Sequence, residues 1–217
     1  MTPPLPPDTA DRPARERLLE AGLRLFADHG FAKTSTRELA EAAGVNIASI
    51  SYYFGDKAGL YRAVFTEPMG DAPGPEHITE AGLPLPEALR RFYAGFLEPL
   101  RQGDVARLCV KLHFREMVEP TGLWDHHVAG EIQPLHDALT AVLQRHLGLD
   151  APDDDLLRLV VSLTALGVHL HVGRDVTDHL APGLYDGADA PDRWSRHLVA
   201  YGLAMVETER KRRKEAA

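Results

Sequence analysis

The 217-residue chain is predicted to fold as an all-α protein, and three observations predict it. Apolar residues recur three and four apart along most of its length. No segment alternates with a period of two, so no sheet is expected. A proline- and glycine-rich stretch, residues 67–86, separates two helical regions. The expected organisation is an arm (1–12), a head (13–66), a linker (67–86) and a larger body (87–217). The arm, MTPPLPPDTADR, lacks apolar periodicity and is read as disordered, with Pro13 opening the first helix. For the linker two readings stay open, a mobile loop or an ordered crossover anchored by Ile78 and Leu83.

In the head, Leu18, Ala21, Leu25 and Phe26 lie at helical spacing, and Gly30 ends that helix. Ser35 to Leu60 reads as two short helices around a tight turn with a third helix behind, a helix-turn-helix arrangement. Ser35 followed by Glu38 is a capping box, and Leu39, Ala40 and Ala43 share one face of the helix it opens. Gly44 supplies the positive φ of a tight turn. Asn46 caps the next helix, in which Ile50 and Phe54, four apart, take the buried face. Asn46, Ile47, Ala48, Ser49, Ser51, Tyr52 and Tyr53 are left to meet a partner. Asp56 caps a further helix with Lys57 in its first turn.

The body repeats the helical pattern. Leu89, Phe92, Tyr93, Phe96 and Leu100 form one helix between Pro86 and Gly103. A second runs from Val105 to Glu119 with Leu108, Leu112 and either Cys109 or Met117 inward. A third, Leu123 to Leu147, is expected to bend near Pro134, which has no N–H to donate. The fourth, Leu156 to Arg174, is apolar on more than one face, and the fifth spans Asp192 to Lys214. An all-round apolar helix must be covered on several sides, which points to self-association, with Ala165 and Gly167 allowing close helix approach.

The outward face after Gly44 suits DNA. Ala48 and Ser49 are small enough for a backbone to approach a groove floor, while Asn46, Ser49 and the tyrosine hydroxyls can bond base edges or phosphates. Lys57 would meet a phosphate at a helix N-terminus. Ser35, Thr36 and Arg37, opening the preceding helix, complete the candidate DNA-binding set. The net charge of -8 argues the other way, but residues 1–70 hold 8 Lys or Arg against 9 Asp or Glu, so nearly all the excess acid lies in the body. The acidity is the main support for an alternative, a helical interaction module without a DNA role.

Other chemistries have thinner support. Eleven histidines raise a metal-sensing alternative, yet His126-His127 and His169-His171 lack the three- or four-residue spacing of ligands on one helical face; His113 and Glu116 have it. No Gly-x-Ser-x-Gly or phosphate-binding glycine loop is present, so no enzyme and no cofactor is expected. With one cysteine, Cys109, no internal disulfide can form. No leader and no apolar run long enough to span a bilayer is read, so a cytoplasmic protein without a membrane partner is expected.

Gly44-Val45, Tyr52-Tyr53-Phe54, Asp56-Lys57 and Leu60-Tyr61, with RLLEAGLRLFADHG at 17–30 upstream, resemble in order and spacing the DNA-binding region of the tetracycline-repressor (TetR) family. The resemblance covers about residues 13–66. Ser51 and Tyr53 depart from it where an aromatic and a His are frequent, as does Ile47 where a polar residue is common. FREMVEPTGLWD at 114–125 and YYFGDKAGLY at 52–61 resemble the CecR-like group of that family. The resemblance implies an N-terminal three-helix helix-turn-helix DNA-binding domain and a C-terminal helical domain for ligand binding and dimerisation. It implies a homodimer through the last two long helices, a palindromic DNA operator, and a small-molecule effector that releases a repressor. Candidate effector residues, from helices expected around the body's centre, are Phe92, Phe96, His113, Glu116, Trp124, His127 and His169.

Overall fold

The structure, a computed structural model, describes residues 13–67, 74–101 and 103–216. The arm at 1–12 lies outside these residues, as does 68–73 of the linker. Among the described residues every regular element is helical: α1 Ala14–Lys33, α2 Thr36–Ala43, α3 Ala48–Phe54, α4 Lys57–Thr66, α5 Glu76–Thr79, α6 Leu85–Arg101, α7 Asp104–Val118, α8 Trp124–His127, α9 Gln133–Leu147, α10 Asp154–Val172, α11 Arg174–Leu180 and α12 Ala190–Ala216. A π-helical stretch, Val128–Ile132, joins α8 to α9.

The helices form two compact units. The first contains α1 to α4 and also α7, with the residues up to Trp124; the second contains the rest. Placing α7 with the body by sequence order is therefore corrected. Its Cys109 and Leu112 are buried in the same cluster as Leu18, Phe26, Leu39, Ile50, Leu60, Tyr61 and Val64. Burial pushes the Cys109 thiol pKa up to about 11, so it behaves as a small apolar side chain. Of the two alternatives for the inward position, Cys109 is taken and Met117 is exposed. Phe26, Phe31, Tyr61 and Phe65 make a chain of edge and tilted ring contacts 4.9 to 6.5 Å apart. α1 kinks at Gly30, where φ is 79°, the expected stop, and a last turn follows to Lys33.

In the second unit, Leu89, Phe92, Tyr93 and Leu97 of α6 pack with Leu139 and Leu143 of α9, Leu156, Val160 and Leu163 of α10, and Leu198 and Val206 of α12. The Tyr93 hydroxyl donates to the Leu163 carbonyl at 3.1 Å, so its polar end is satisfied inside the core. Of the two readings of the linker, the ordered crossover holds from Gly74 onward. Ile78 is fully buried, Leu83 packs against the same core, and Arg91 Nη1 donates to the His77 carbonyl at 2.8 Å.

The bend expected at Pro134 is the π-helical stretch immediately before it. The Gln133 N–H reaches back to the Val128 carbonyl, and Pro134, placed in the first turn of α9, has no N–H to continue an α register behind it. α10 begins earlier than its apolar pattern suggests because Asp153 caps it, accepting from the Leu156 N–H at 2.8 Å. Two Arg213 nitrogens, each 2.7 Å from an Asp153 oxygen, tie the end of α12 to that cap.

Two readings of α10 change. By length and composition this helix is apolar enough to cross a membrane, with a mean hydropathy of 1.4 over its window. Leu156, Leu159, Val160, Leu163, Gly167 and Leu170 nonetheless lie on a buried side. Gly167 is not available for a partner helix either. A Cβ there would come within 2.6 Å of the Phe96 ring, so its small size serves the approach of α6 to α10 within the unit. Ala165 does stay exposed.

Candidate nucleic-acid interface

The helix-turn-helix and the helix behind it are set by four local caps. Ser35 and Glu38 form the reciprocal capping box at α2: the Glu38 N–H donates to Ser35 Oγ at 3.1 Å and the Ser35 N–H to Glu38 Oε2 at 2.8 Å. The Ser35 N–H and then the Ser35 hydroxyl, both donating to Glu38 Oε2 at 2.8 Å, hold the Glu38 carboxyl below its ordinary pKa. Gly44 closes α2 in the left-handed region at φ 61°, ψ 40°, and the Val45 N–H reaches the Ala40 carbonyl at 3.0 Å. Asn46 Oδ1 accepts from the Ala48 N–H at 2.9 Å, and Asp56 Oδ1 from the Gly59 N–H at 2.7 Å, opening α3 and α4.

The result is a seven-residue α3 that buries Ile50 and half-buries Phe54, and turns its other side to solvent. Tyr52 is 82% exposed, Ile47 51% and Tyr53 40%. The two tyrosine rings meet edge to face at 4.8 Å, which steadies a large amphipathic surface outside the core. Asn46, Ala48 and Ser51 share that exposure, and Ser49 is half-buried. Arg15 lies over the Phe54 ring at 5.1 Å and pairs with Glu67 at 2.7 Å, a contact that sequence spacing does not reveal because the partners are far apart in the chain.

A family profile described as "Bacterial regulatory proteins, tetR family" matches residues 18–64. A second, described as "HTH-type transcriptional dual regulator CecR, C-terminal domain", matches residues 85–207, more than half of the chain. The chain belongs to the TetR family. Within the family it falls in the CecR-like group. The dual regulator CecR of Shigella flexneri is 35% identical over 159 residues, covering 66% of this chain and 69% of that protein. The repressor AcnR of Corynebacterium efficiens is 33% identical over 208 residues, covering 94% and 97%. Among solved structures, a SmeT–triclosan complex aligns with a TM-score of 0.61 at 19% identity, over 88% of this chain and 90% of that one. The hemolysin II regulator HlyIIR aligns at 0.58 and 19%, over 86% and 97%. At those identities the structures speak for the fold alone.

The TetR-family protein is thus a DNA-binding transcriptional regulator and not an enzyme, and the reading as an interaction module without a DNA role falls. The exposed side of α3 occupies the position of the helix that enters a groove in helix-turn-helix proteins. Arg37, at the start of α2, is mostly exposed and holds Glu41 at 2.8 Å; such a surface pair is worth little and can open toward a phosphate. Thr36 is half-buried beside it, and the Ser35 hydroxyl is engaged with Glu38.

Lys57 is a correction. Its ammonium is turned inward, donating to the carbonyls of Phe31 and Thr34 at 2.9 Å each and lying 4.2 Å from the centre of the Phe31 ring. A cation at the carbonyl end of α1 satisfies groups that the helix leaves open, and that local need outweighs a phosphate contact in the free protein. Buried Thr34 serves the same turn through its hydroxyl, which donates to the Gly30 carbonyl at 2.8 Å. Lys57→Met is expected to lower stability by about 2 kcal/mol, because it removes two charge-assisted bonds from half-buried carbonyls. A urea midpoint indistinguishable from the parent's would contradict this role.

The candidate effector residues divide between the two units. His113, Glu116 and Trp124 fall in the first unit; Phe92, Phe96, His127 and His169 in the second. His113 stacks on Phe65 at 4.1 Å and its Nδ1 lies 2.7 Å from the Cys109 carbonyl. Glu116 is fully buried, and its carboxylate accepts from the Tyr61 hydroxyl at 2.7 Å, the Thr121 N–H at 2.7 Å, the Thr121 hydroxyl and the Leu123 N–H at 3.2 Å. One turn apart on α7, these two side chains serve different partners, which removes the basis for pairing them as metal ligands or as an acid and base. Phe92 is buried and makes an edge contact with half-buried Phe96 at 5.4 Å; His169 is exposed. A histidine outside the candidate set, His171, is committed inside the unit. Its Nε2 lies 2.7 Å from the Phe96 carbonyl, and burial lowers its pKa, so the neutral ring donates there.

Proposed function

We propose that the protein is a dimeric, ligand-responsive repressor that leaves a palindromic operator when a small molecule binds its C-terminal domain. The observation that carries the DNA half of this reading is the exposed side of α3, where Tyr52, Tyr53, Ile47 and Ala48 stand clear of the core. Ala48 brings only a methyl group to that side, so the backbone can come close to a groove floor. Asn46, Ser49, Ser51 and the tyrosine hydroxyls supply polar contacts, and Ser35, Thr36 and Arg37 meet the flanking phosphates.

Dimerisation through α10 and α12 is supported by a second apolar face in the C-terminal unit. Leu157 and Val161 of α10 and Tyr201 of α12 are exposed large hydrophobic residues. A groove of about 440 Å³ lies between the two helices, with Leu159, Ala204 and Met205 lining it beside Ser162 and Thr208, and with Asp155, Arg158 and Glu209 also lining it. Exposed large apolar residues on adjoining helices suit an association site, and the charged residues beside them suit its polar rim. The two heads of such a dimer would read half-sites about one duplex turn apart, as paired helix-turn-helix proteins do.

The aromatic pair Phe92 and Phe96 offers the apolar lining that small-molecule sites use, and an effector must bind the released state better than the DNA-bound one to act. A second reading, regulation in both directions, is favoured by the C-terminal match to a profile described for a dual regulator. A cytoplasmic location belongs to the same reading.

Ala48→Glu tests the interface. The substitution sits at an exposed helix start, so thermal stability should stay within about 0.5 kcal/mol of the parent. Affinity for a duplex selected from a random pool should fall by about 100-fold, because a carboxylate would be pressed against the phosphate-lined groove. If the variant retained the parent's affinity, α3 would not be the recognition helix.

A further inference from the structure

At the leading turn of α3 the chain offers methyl groups where a base-reading helix commonly offers hydrogen-bonding groups. Ile47 has helical backbone angles, φ -56° and ψ -32°, immediately before α3, and half of its surface is in water. Ala48 beside it is exposed and carries no polar atom. The neighbours do not make up the deficit. Asn46 Oδ1 is spent on the Ala48 N–H, and Ser49 is half-buried. An Asn or Gln reads adenine with both ends of its amide, and Asn46 has only its NH2 group left. Ile47 and Ala48 themselves can select a base only through an apolar contact. In the major groove the apolar group that marks one base is the thymine 5-methyl. A β-branched side chain left half exposed in the free protein regains hydrophobic stabilisation when such a group covers it.

We propose that Ile47, with Ala48 beside it, recognises a thymine 5-methyl, so that each operator half-site carries a T·A pair read by its methyl group at this turn. The inference rests on α3 being the recognition helix, and the experiment separates the two. Duplexes are selected from a random pool with the full-length protein, and each thymine of the selected half-site is replaced in turn by deoxyuridine, which lacks only the methyl. Binding is followed by fluorescence anisotropy for the parent and for Ile47→Ala.

At one thymine per half-site, deoxyuridine should weaken the parent's binding by about three- to tenfold, the effect of losing one buried methyl. Ile47→Ala should lose a similar factor on the thymine duplex and show no further loss on deoxyuridine. Both proteins should melt alike, since the side chain is half in solvent. Selection that enriches no sequence would overturn the recognition-helix reading and this inference with it. Enrichment followed by equal binding of every deoxyuridine duplex would overturn the inference alone. So would an Ile47→Ala variant that keeps the parent's full penalty for the missing methyl.

Discussion

Glu116→Ala should destabilise the first unit by about 3 to 4 kcal/mol, one of the two largest effects expected for a single substitution in this protein. The carboxylate is fully buried and gathers donors from two places: Tyr61 on α4, and Thr121 and Leu123 in the segment after α7. Alanine would leave the buried Tyr61 hydroxyl and the part-buried N–H groups of Thr121 and Leu123 without their acceptor, and an unpaired buried donor costs more than an exposed one that water can satisfy. Differential scanning calorimetry should show the change as a fall of about 10 °C in the transition that includes the head. Tyr61→Phe, which removes one donor and leaves the other bonds in place, should cost about 1 kcal/mol. Burial, then the bond to Glu116, raises the pKa of the Tyr61 hydroxyl, so the hydroxyl stays protonated and donating at every pH where the protein is folded. Equal losses for the two variants would mean that Glu116 acts only through Tyr61 and that the backbone bonds contribute nothing.

Val161→Glu should have the largest effect on assembly. The side chain is 60% exposed in the single chain, so a carboxylate there costs the isolated unit little, whereas in a paired α10–α12 face it would be buried without a partner. Sedimentation equilibrium should show a monomer at micromolar concentration where the parent is a dimer. Affinity for a palindromic duplex should drop by about 100-fold or more, because one head then binds without the effective concentration supplied by the other. A variant that still sediments as a dimer would move the interface off this face.

The residues explain why some features were legible in the sequence and others were not. Helix starts and stops depend on neighbours within four positions, and Ser35 with Glu38, Gly44, Asn46 and Asp56 all act as their spacing indicates. The exposed side of α3 was readable for the same reason, since Ile50 fixes which side is buried. Lys57 was misread because its acceptors, the carbonyls of Phe31 and Thr34, lie 26 and 23 residues away and are defined only once α1 and α4 are packed. The partners of Glu116 were hidden for the same reason. A glutamate on a helix looks like a pocket residue until Tyr61, 55 positions earlier, is seen to bond it. α7 was assigned to the body because chain order suggests so, whereas the burial of Cys109 and Leu112 against α1 and α4 decides the matter. The approach of Phe96 to Gly167 likewise joins residues 71 positions apart, so a small residue that looked free to meet a partner helix was already used.

Among the described residues, most cations of the first unit are engaged within it. Arg15 holds Glu67, Arg24 holds Glu20, Arg37 holds Glu41, Lys111 holds Asp28 and Arg115 holds Glu119, while Lys57 faces two carbonyls. Any of these that turns to a phosphate must first abandon an internal acceptor, so the displacement of condensed counterions, the usual entropic drive for gripping DNA, is partly offset by the broken pair. The cations free to meet a duplex would accordingly be those whose pairs open most cheaply, Arg37 at the start of α2 first among them.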